Sequence, residues 1–147
     1  CRFPYNGLNR RFEMADATPV KTRIAVVDDE KMLLQVFSSL LRQHHYQADF
    51  FSNPLNALEA IINDPGRYSL VIADIRMPQL DGITFVKKVR FILPKMPVVF
   101  MTGDPSPELK TEVLKLGNVI FLEKPFPLEA TLKETIPKLL NLNSENS

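Results

Sequence analysis

Residues 70–85 read LVIADIRMPQLDGITF. Four apolar residues, Leu70 to Ala73, run without a break and stop at Asp74. That is the signature of a strand buried on both faces, as parallel sheets require. Asp81-Gly82 then opens a helix whose apolar positions are Ile83, Phe85, Val86, Val89 and Ile92. The short apolar run closed by a polar residue, followed by a helical pattern, is the unit from which the rest of the chain is built.

Upstream, IAVV (24–27) is a second such run, ended by Asp28 and Asp29. From Glu30 to about His44 the residues Leu33, Val36, Phe37, Leu40 and Leu41 recur at helical spacing. QADFF (47–51) fits a strand, and Asn53-Pro54 starts a helix through Leu55, Leu58, Ile61 and Ile62, with proline at its first position. Downstream, VVFM (98–101) ends at Thr102, and Ser106-Pro107 starts a helix that Gly117 stops. VIFL (119–122) is followed by Glu123-Lys124-Pro125, and a last helix covers about 128–140. Pro137 lies inside that pattern and is expected to kink or break it near Ile136, since it lacks the N–H and clashes with the preceding turn. Five strands alternating with five helices predict an α/β fold with a parallel sheet covered by helices on both faces.

The 147 residues fit one domain around one core. Hydrophobic residues make up 45% and charged residues 24%, an ordinary globular composition. A net charge of +1 gives no pull toward nucleic acid or a membrane surface, and no apolar run approaches a membrane span. The one cysteine, Cys1, allows no disulfide within the chain, so a reducing cytoplasm is the expected compartment. Residues 1–21 have neither periodicity nor a signal-peptide core. They read as a leader, disordered or left by cloning, with Met14 as a candidate natural start. The domain is expected over 22–140, and the polar stretch 141–147 as a tail or linker stub.

In an open α/β sheet, ligands bind beyond the carboxyl ends of the strands. Those ends here carry Asp28 and Asp29, then Asp74, Thr102 and Lys124. Singly, each has a plain explanation as a cap, a turn or a solvated loop, and Asp81-Gly82 reads only as a helix cap. Together they do not. Two unit charges 4 Å apart at an effective dielectric near 20 repel by about 4 kcal/mol. A divalent cation relieves this, and all-oxygen ligands without a dedicated cage favour Mg²⁺. Lys124 offsets more charge and offers donors to an anion. The cluster suits phosphoryl chemistry on an aspartate, a carboxylate nucleophile that forms an aspartyl phosphate.

The motifs VVDDE (26–30), LVIADIRMPQLDGITF (70–85), VVFMTGD (98–104) and FLEKPF (121–126) closely resemble the receiver domain of bacterial two-component response regulators. The match covers about residues 22–140. It implies a doubly wound five-stranded parallel sheet of flavodoxin-like topology. It implies that Asp74 accepts a phosphoryl group from a sensor histidine kinase or phosphotransfer protein. By the same match Asp29, Asp74 and the backbone carbonyl of Arg76 hold Mg²⁺ directly, and Asp28 acts through metal-bound water. Thr102 and Lys124 contact phosphoryl oxygens, Phe121 is the aromatic that turns inward, and Lys124-Pro125 is a bond often cis in the family.

By the same resemblance, Arg76 and Asp104 stand at positions that vary in the family and tune phosphoryl lifetime. They are expected to face each other across the site mouth and hinder the hydrolytic water. Gly103 replaces the small residue, commonly alanine, that is usual there. The family's output face is its fourth helix, fifth strand and fifth helix. Ile120 with Leu114 is expected to form an apolar patch there for a downstream partner, a fused effector domain or a phosphorylation-dependent homodimer. Three rival readings fit less well. A dehalogenase-type phosphatase needs an acid two residues after the nucleophile, where Arg76 stands. A flavin electron carrier needs a phosphate-cradling loop where Asp28-Asp29-Glu30 would repel phosphate. A degenerate receiver would lack site residues that are all present. The expected role is therefore a phosphoacceptor switch rather than an enzyme acting on a separate substrate.

Overall fold

The computed structural model describes residues 22–146, and the side chains of 22–140. The expected leader 1–21 lies outside the described residues.

Strands β1 (Arg23–Val27), β2 (Gln47–Phe51), β3 (Leu70–Asp74), β4 (Val98–Thr102) and β5 (Val119–Glu123) alternate with helices α1 (Lys31–Gln43), α2 (Pro54–Asn63), α3 (Gly82–Ile92), α4 (Pro107–Leu114) and α5 (Leu128–Asn146). All neighbouring strands pair in parallel, in the order β2-β1-β3-β4-β5. The chain moves from β1 outward to β2, then crosses to β3 on the other side of β1. That reversal makes the β1/β3 boundary the topological switch point, where such sheets hold ligands. The central strands β3 and β4 are buried along their whole length, whereas the edge strands β2 and β5 are mostly half-buried. Unbroken apolar runs form the buried strands because both of their faces carry helices.

Alternation along the strands divides the core in two. Ala25, Val27, Val71, Ala73, Val98 and Phe100 face α2, α3 and α4. Ile24, Val26, Leu70, Ile72, Val99 and Met101 face α1 and α5, meeting Phe37, Leu41, Leu132, Ile136 and Leu139. At the far end of the sheet from the carboxyl rim, the Arg90 guanidinium donates to the carbonyls of Met96, Leu116 and Asn118 at 2.6–3.1 Å. It ties the end of α3 to the loop between α4 and β5, where Gly117 and Asn118 take φ of 72° and 54°.

Three details depart from the sequence expectation. In α1 the buried residues are Leu34, Phe37 and Leu41, while Val36 is 46% exposed. The apolar positions were more numerous than the face could cover, and the helix settles with Leu34 inward. In α5 the helix passes through Pro137 and continues to Asn146, beyond residue 140. Pro137 is on the exposed side, and burial of Leu132, Ile136 and Leu139 on the turns around it outweighs the lost hydrogen bond. Last, Ile120 packs into the α1/α5 half of the core, whereas Leu114 belongs to α4 on the other face of the sheet. Adjacent residues on β5 point to opposite faces, and Val119 takes the α4 side.

Candidate functional site

The strand register builds the site. Val27 pairs with Ala73, Asp74 with Met101, and Thr102 with Glu123. Asp28, Asp74, Thr102 and Lys124 therefore lie along one rim of the sheet. Backbone bonds continue the ladder past the strand ends and fix each position. Asp28 N–H donates to the Phe51 carbonyl at 3.0 Å, Ile75 N–H to that of Met101 at 2.9 Å, and Lys124 N–H to that of Thr102 at 2.7 Å. The helix after Asp74 abuts the strand through Gly82. A Cβ there would stand 2.3 Å from the Asp74 carbonyl oxygen, and Gly82 N–H donates to the Ile75 carbonyl at 2.7 Å. Asp81 caps that helix, accepting from Thr84 N–H at 3.0 Å and from its hydroxyl at 2.8 Å.

Lys124 is the centre of the charge pattern. Its Nζ donates to Glu30 Oε1 at 2.9 Å, Asp28 Oδ2 at 3.1 Å and Asp74 Oδ2 at 3.4 Å. Asp28 is fully buried and Asp74 nearly so. Burial pushes the Asp28 carboxyl up to about 6, against the opposing pull of the Glu30 N–H and the Lys124 ammonium. Burial also raises Asp74, while Lys124 and the Arg76 N–H hold it down in part and Asp29 adds repulsion. The Lys124 ammonium is raised: burial opposes its charge, but the three carboxylates outweigh that. One cation serving three carboxylates leaves the rim short of positive charge, the condition a divalent cation answers.

Oxygens of Asp28, Glu30 and Asp74 lie within 4.8 Å of one another and could hold a metal ion. Asp29, which the sequence marks as a direct ligand, stands outside that trio. It is exposed and lines an open groove with Ile75, Arg76, Met77 and Lys87. The Thr102 side chain is fully buried, and its Oγ1 accepts from Asp104 N–H at 3.1 Å. Phe121 is half-buried against the α2/α3/α4 half of the core. Arg76 meets Asp104 at 3.5 Å in an exposed pair. The Lys124-Pro125 peptide bond is cis. Gly103 leaves room: a methyl group there would have Lys124 Cβ as its nearest neighbour, at 3.9 Å.

Sequence reasoning assigned no role to Glu30. Its signals are its place as the last residue of the VVDDE motif and at the N-cap of α1. Also unassigned was the Asp49 cluster on β2, where Asp49 accepts from Arg23 at 2.9 Å, Arg67 at 3.0 Å and the Tyr68 hydroxyl at 2.7 Å. It lies toward the opposite end of the sheet and serves the fold. No helix among the described residues is long and apolar enough to cross a membrane.

Residues 24–136 match the family model for the response regulator receiver domain. The chain is 36% identical over 107 residues to the transcriptional regulatory protein FixJ of Bradyrhizobium diazoefficiens, covering 72% of this chain and 51% of FixJ. It thus spans about half the length of that relative. A CheY-like receiver domain protein from Methanospirillum hungatei superposes with a TM-score of 0.79 at 25% identity, covering 86% of this chain and 98% of that one. The beryllofluoride-activated NtrC4 receiver domain dimer superposes at 0.75 with 29% identity, covering 82% and 98%. With five parallel strands in flavodoxin-like order and an acidic rim at the switch point, the chain belongs to the response regulator receiver domain family.

Proposed function

We propose that this chain is a phosphorylation-dependent signalling switch of the cytoplasm, which takes a phosphoryl group on Asp74 from a sensor histidine kinase or a phosphotransfer protein. The observation that carries the reading is the setting of Asp74. It is a nearly buried carboxylate at the end of a central strand, with one ammonium 3.4 Å away and a buried hydroxyl on the neighbouring strand. An Asp74 oxygen attacks phosphorus; the O–P bond forms as the P–N bond to the donor histidine breaks, and the electron pair leaves on nitrogen. In the separate hydrolysis step, a water oxygen bonds to phosphorus as the Asp74 O–P bond breaks; the electron pair returns to the carboxylate, and inorganic phosphate departs with the water's oxygen and a proton released to solvent. The oxygens of Asp28 and Asp74, gathered within 4.8 Å of one another, suit Mg²⁺, which would be held by Asp29, Asp74 and the Arg76 carbonyl with Asp28 behind them. When bound, the ion supplies charge stabilisation to the transferring group.

Lys124 favours the ionised form of Asp74 against the opposing effect of burial and offers donors to the phosphoryl oxygens. Thr102, now bonded by the Asp104 N–H, gives up that contact to reach the phosphoryl group, and Phe121 follows inward. The bound phosphoryl group shifts a two-state equilibrium by its differential contacts. The change is read on the surface of α4, β5 and α5 by a partner protein or a fused effector domain. A homodimer is a second form of output, as the NtrC4 receiver is found as a dimer. The test is incubation with Mg²⁺ and phosphoramidate, following label uptake and the backbone NMR shifts of Thr102 and Phe121. Wild type takes up label and both residues shift; Asp74→Asn does neither. Equal labelling of the two proteins contradicts the proposal.

A further inference from the structure

We infer that Glu30 is a positioning residue that holds Lys124 in the resting protein and has to release it before Lys124 can serve a phosphoryl group. This rests on the reading of Asp74 as the acceptor. An ammonium has three N–H donors, and all three are engaged, by Glu30, Asp28 and Asp74. A phosphoryl oxygen can gain Lys124 only if one carboxylate loses it. Asp28 is fully buried, and stripping its partner would leave an uncompensated charge away from water. Asp74 carries the incoming group itself. Glu30 is 63% exposed, so water replaces the ammonium at little cost.

Its backbone is fixed, and its exposed side chain bonds Lys124 without capping the helix. Glu30 N–H donates to Asp28 Oδ1 at 2.8 Å, and its carbonyl accepts from Leu34 N–H at 3.2 Å. Its carboxylate makes no capping bond to α1, so swinging away costs the helix nothing. Glu30 also makes the shortest of the three contacts with Lys124. The device is an ion-pair exchange with no covalent bond made or broken. Lys124 leaves an exposed carboxylate for a phosphoryl group whose charge exceeds that of the Asp74 carboxylate it replaces.

The experiment uses the full chain as wild type, Glu30→Gln and Glu30→Ala. The Lys124 side-chain ammonium is observed by ¹⁵N NMR without any phosphoryl donor. In both variants its resonance moves and its exchange with water quickens. With Mg²⁺ and limiting phosphoramidate, the variants label about fivefold faster, which is what release of a partly exposed ion pair of about 1 kcal/mol converts to. Thermal midpoints fall by no more than the few degrees that loss of one such pair converts to, so a general structural effect is separated from release of Lys124. An unchanged ammonium resonance in both variants overturns the inference, as does a labelling rate at or below wild type. Should wild type fail to label at all, the phosphoacceptor reading fails, while the ammonium spectrum still decides whether Glu30 holds Lys124.

Discussion

Gly82 and Gly103 flank the same site under opposite constraints. At Gly82 a methyl group would collide with the Asp74 carbonyl oxygen and Ile75 Cα, both backbone. Gly82→Ala therefore forces α3 away from the acceptor strand and destabilises by about 1–3 kcal/mol, the usual range for overpacking. At Gly103 the same change makes only ordinary contact with Lys124, and Gly103→Ala is tolerated. Urea denaturation of the two variants checks the contrast, and equal losses would refute it. Arg76 and Asp104 meet 3.5 Å apart at 59% and 80% exposure, so their bond contributes little stability. Their expected effect is on access: replacing both with alanine speeds loss of the phosphoryl group, and an unchanged half-life contradicts it. Asp28, Asp74 and Thr102 were legible because each directly follows an apolar strand run, and Lys124 because only Glu123 separates it from such a run. Glu30 was not, because its partner arrives from 94 positions away.

At the level of elements, the edge strand β2 shows what pattern alone misses. QADFF reads as a strand, but besides its ladder with β1 it is tied by Asp49 bound to Arg23, Arg67 and Tyr68. Burial favours the neutral Asp49 carboxyl, yet the Tyr68 and Arg67 hydrogen bonds and the arginine charges outweigh it and lower its pKa. The Tyr68 phenol is pushed up to about 12 by burial and by the same bond. A carboxyl lowered by folding contributes stability above its unfolded pKa, and that contribution is lost as pH falls through the folded value. Asp49→Asn is thus expected to weaken the protein at neutral pH and to flatten its stability profile below about pH 4. Parallel profiles for the two proteins would show that Asp49 is not the source. Helices were legible in place and approximate length from their N-caps, as at Asn53, Asp81 and Ser106. Which face turned inward in α1, and whether α5 survived Pro137, were settled by packing against the sheet, which local sequence does not encode.

For the whole molecule, five strand patterns alternating with five helices were enough to read a parallel sheet. The crossing from β2 back over β1 to β3 was supplied by the family resemblance, since nothing in the spacing fixes strand order. That crossing sets Asp28 beside Asp74 and concentrates negative charge at the switch point. A cation that binds only the folded chain stabilises it, by about 2.7 kcal/mol at a hundredfold its dissociation constant. Thermal denaturation is expected to shift upward with Mg²⁺ in wild type and much less in a chain carrying Asp28→Asn and Asp29→Asn; identical shifts would remove Mg²⁺ from this rim. The central claim is that the phosphoryl group resides on one carboxylate. The direct measurement is mass-spectrometric mapping of the protein after treatment with Mg²⁺ and phosphoramidate. The account predicts a single base-labile phosphoryl group on the peptide containing Asp74, absent from Asp74→Asn. A phosphoryl group found on another residue of the wild type, or none at all, would contradict it.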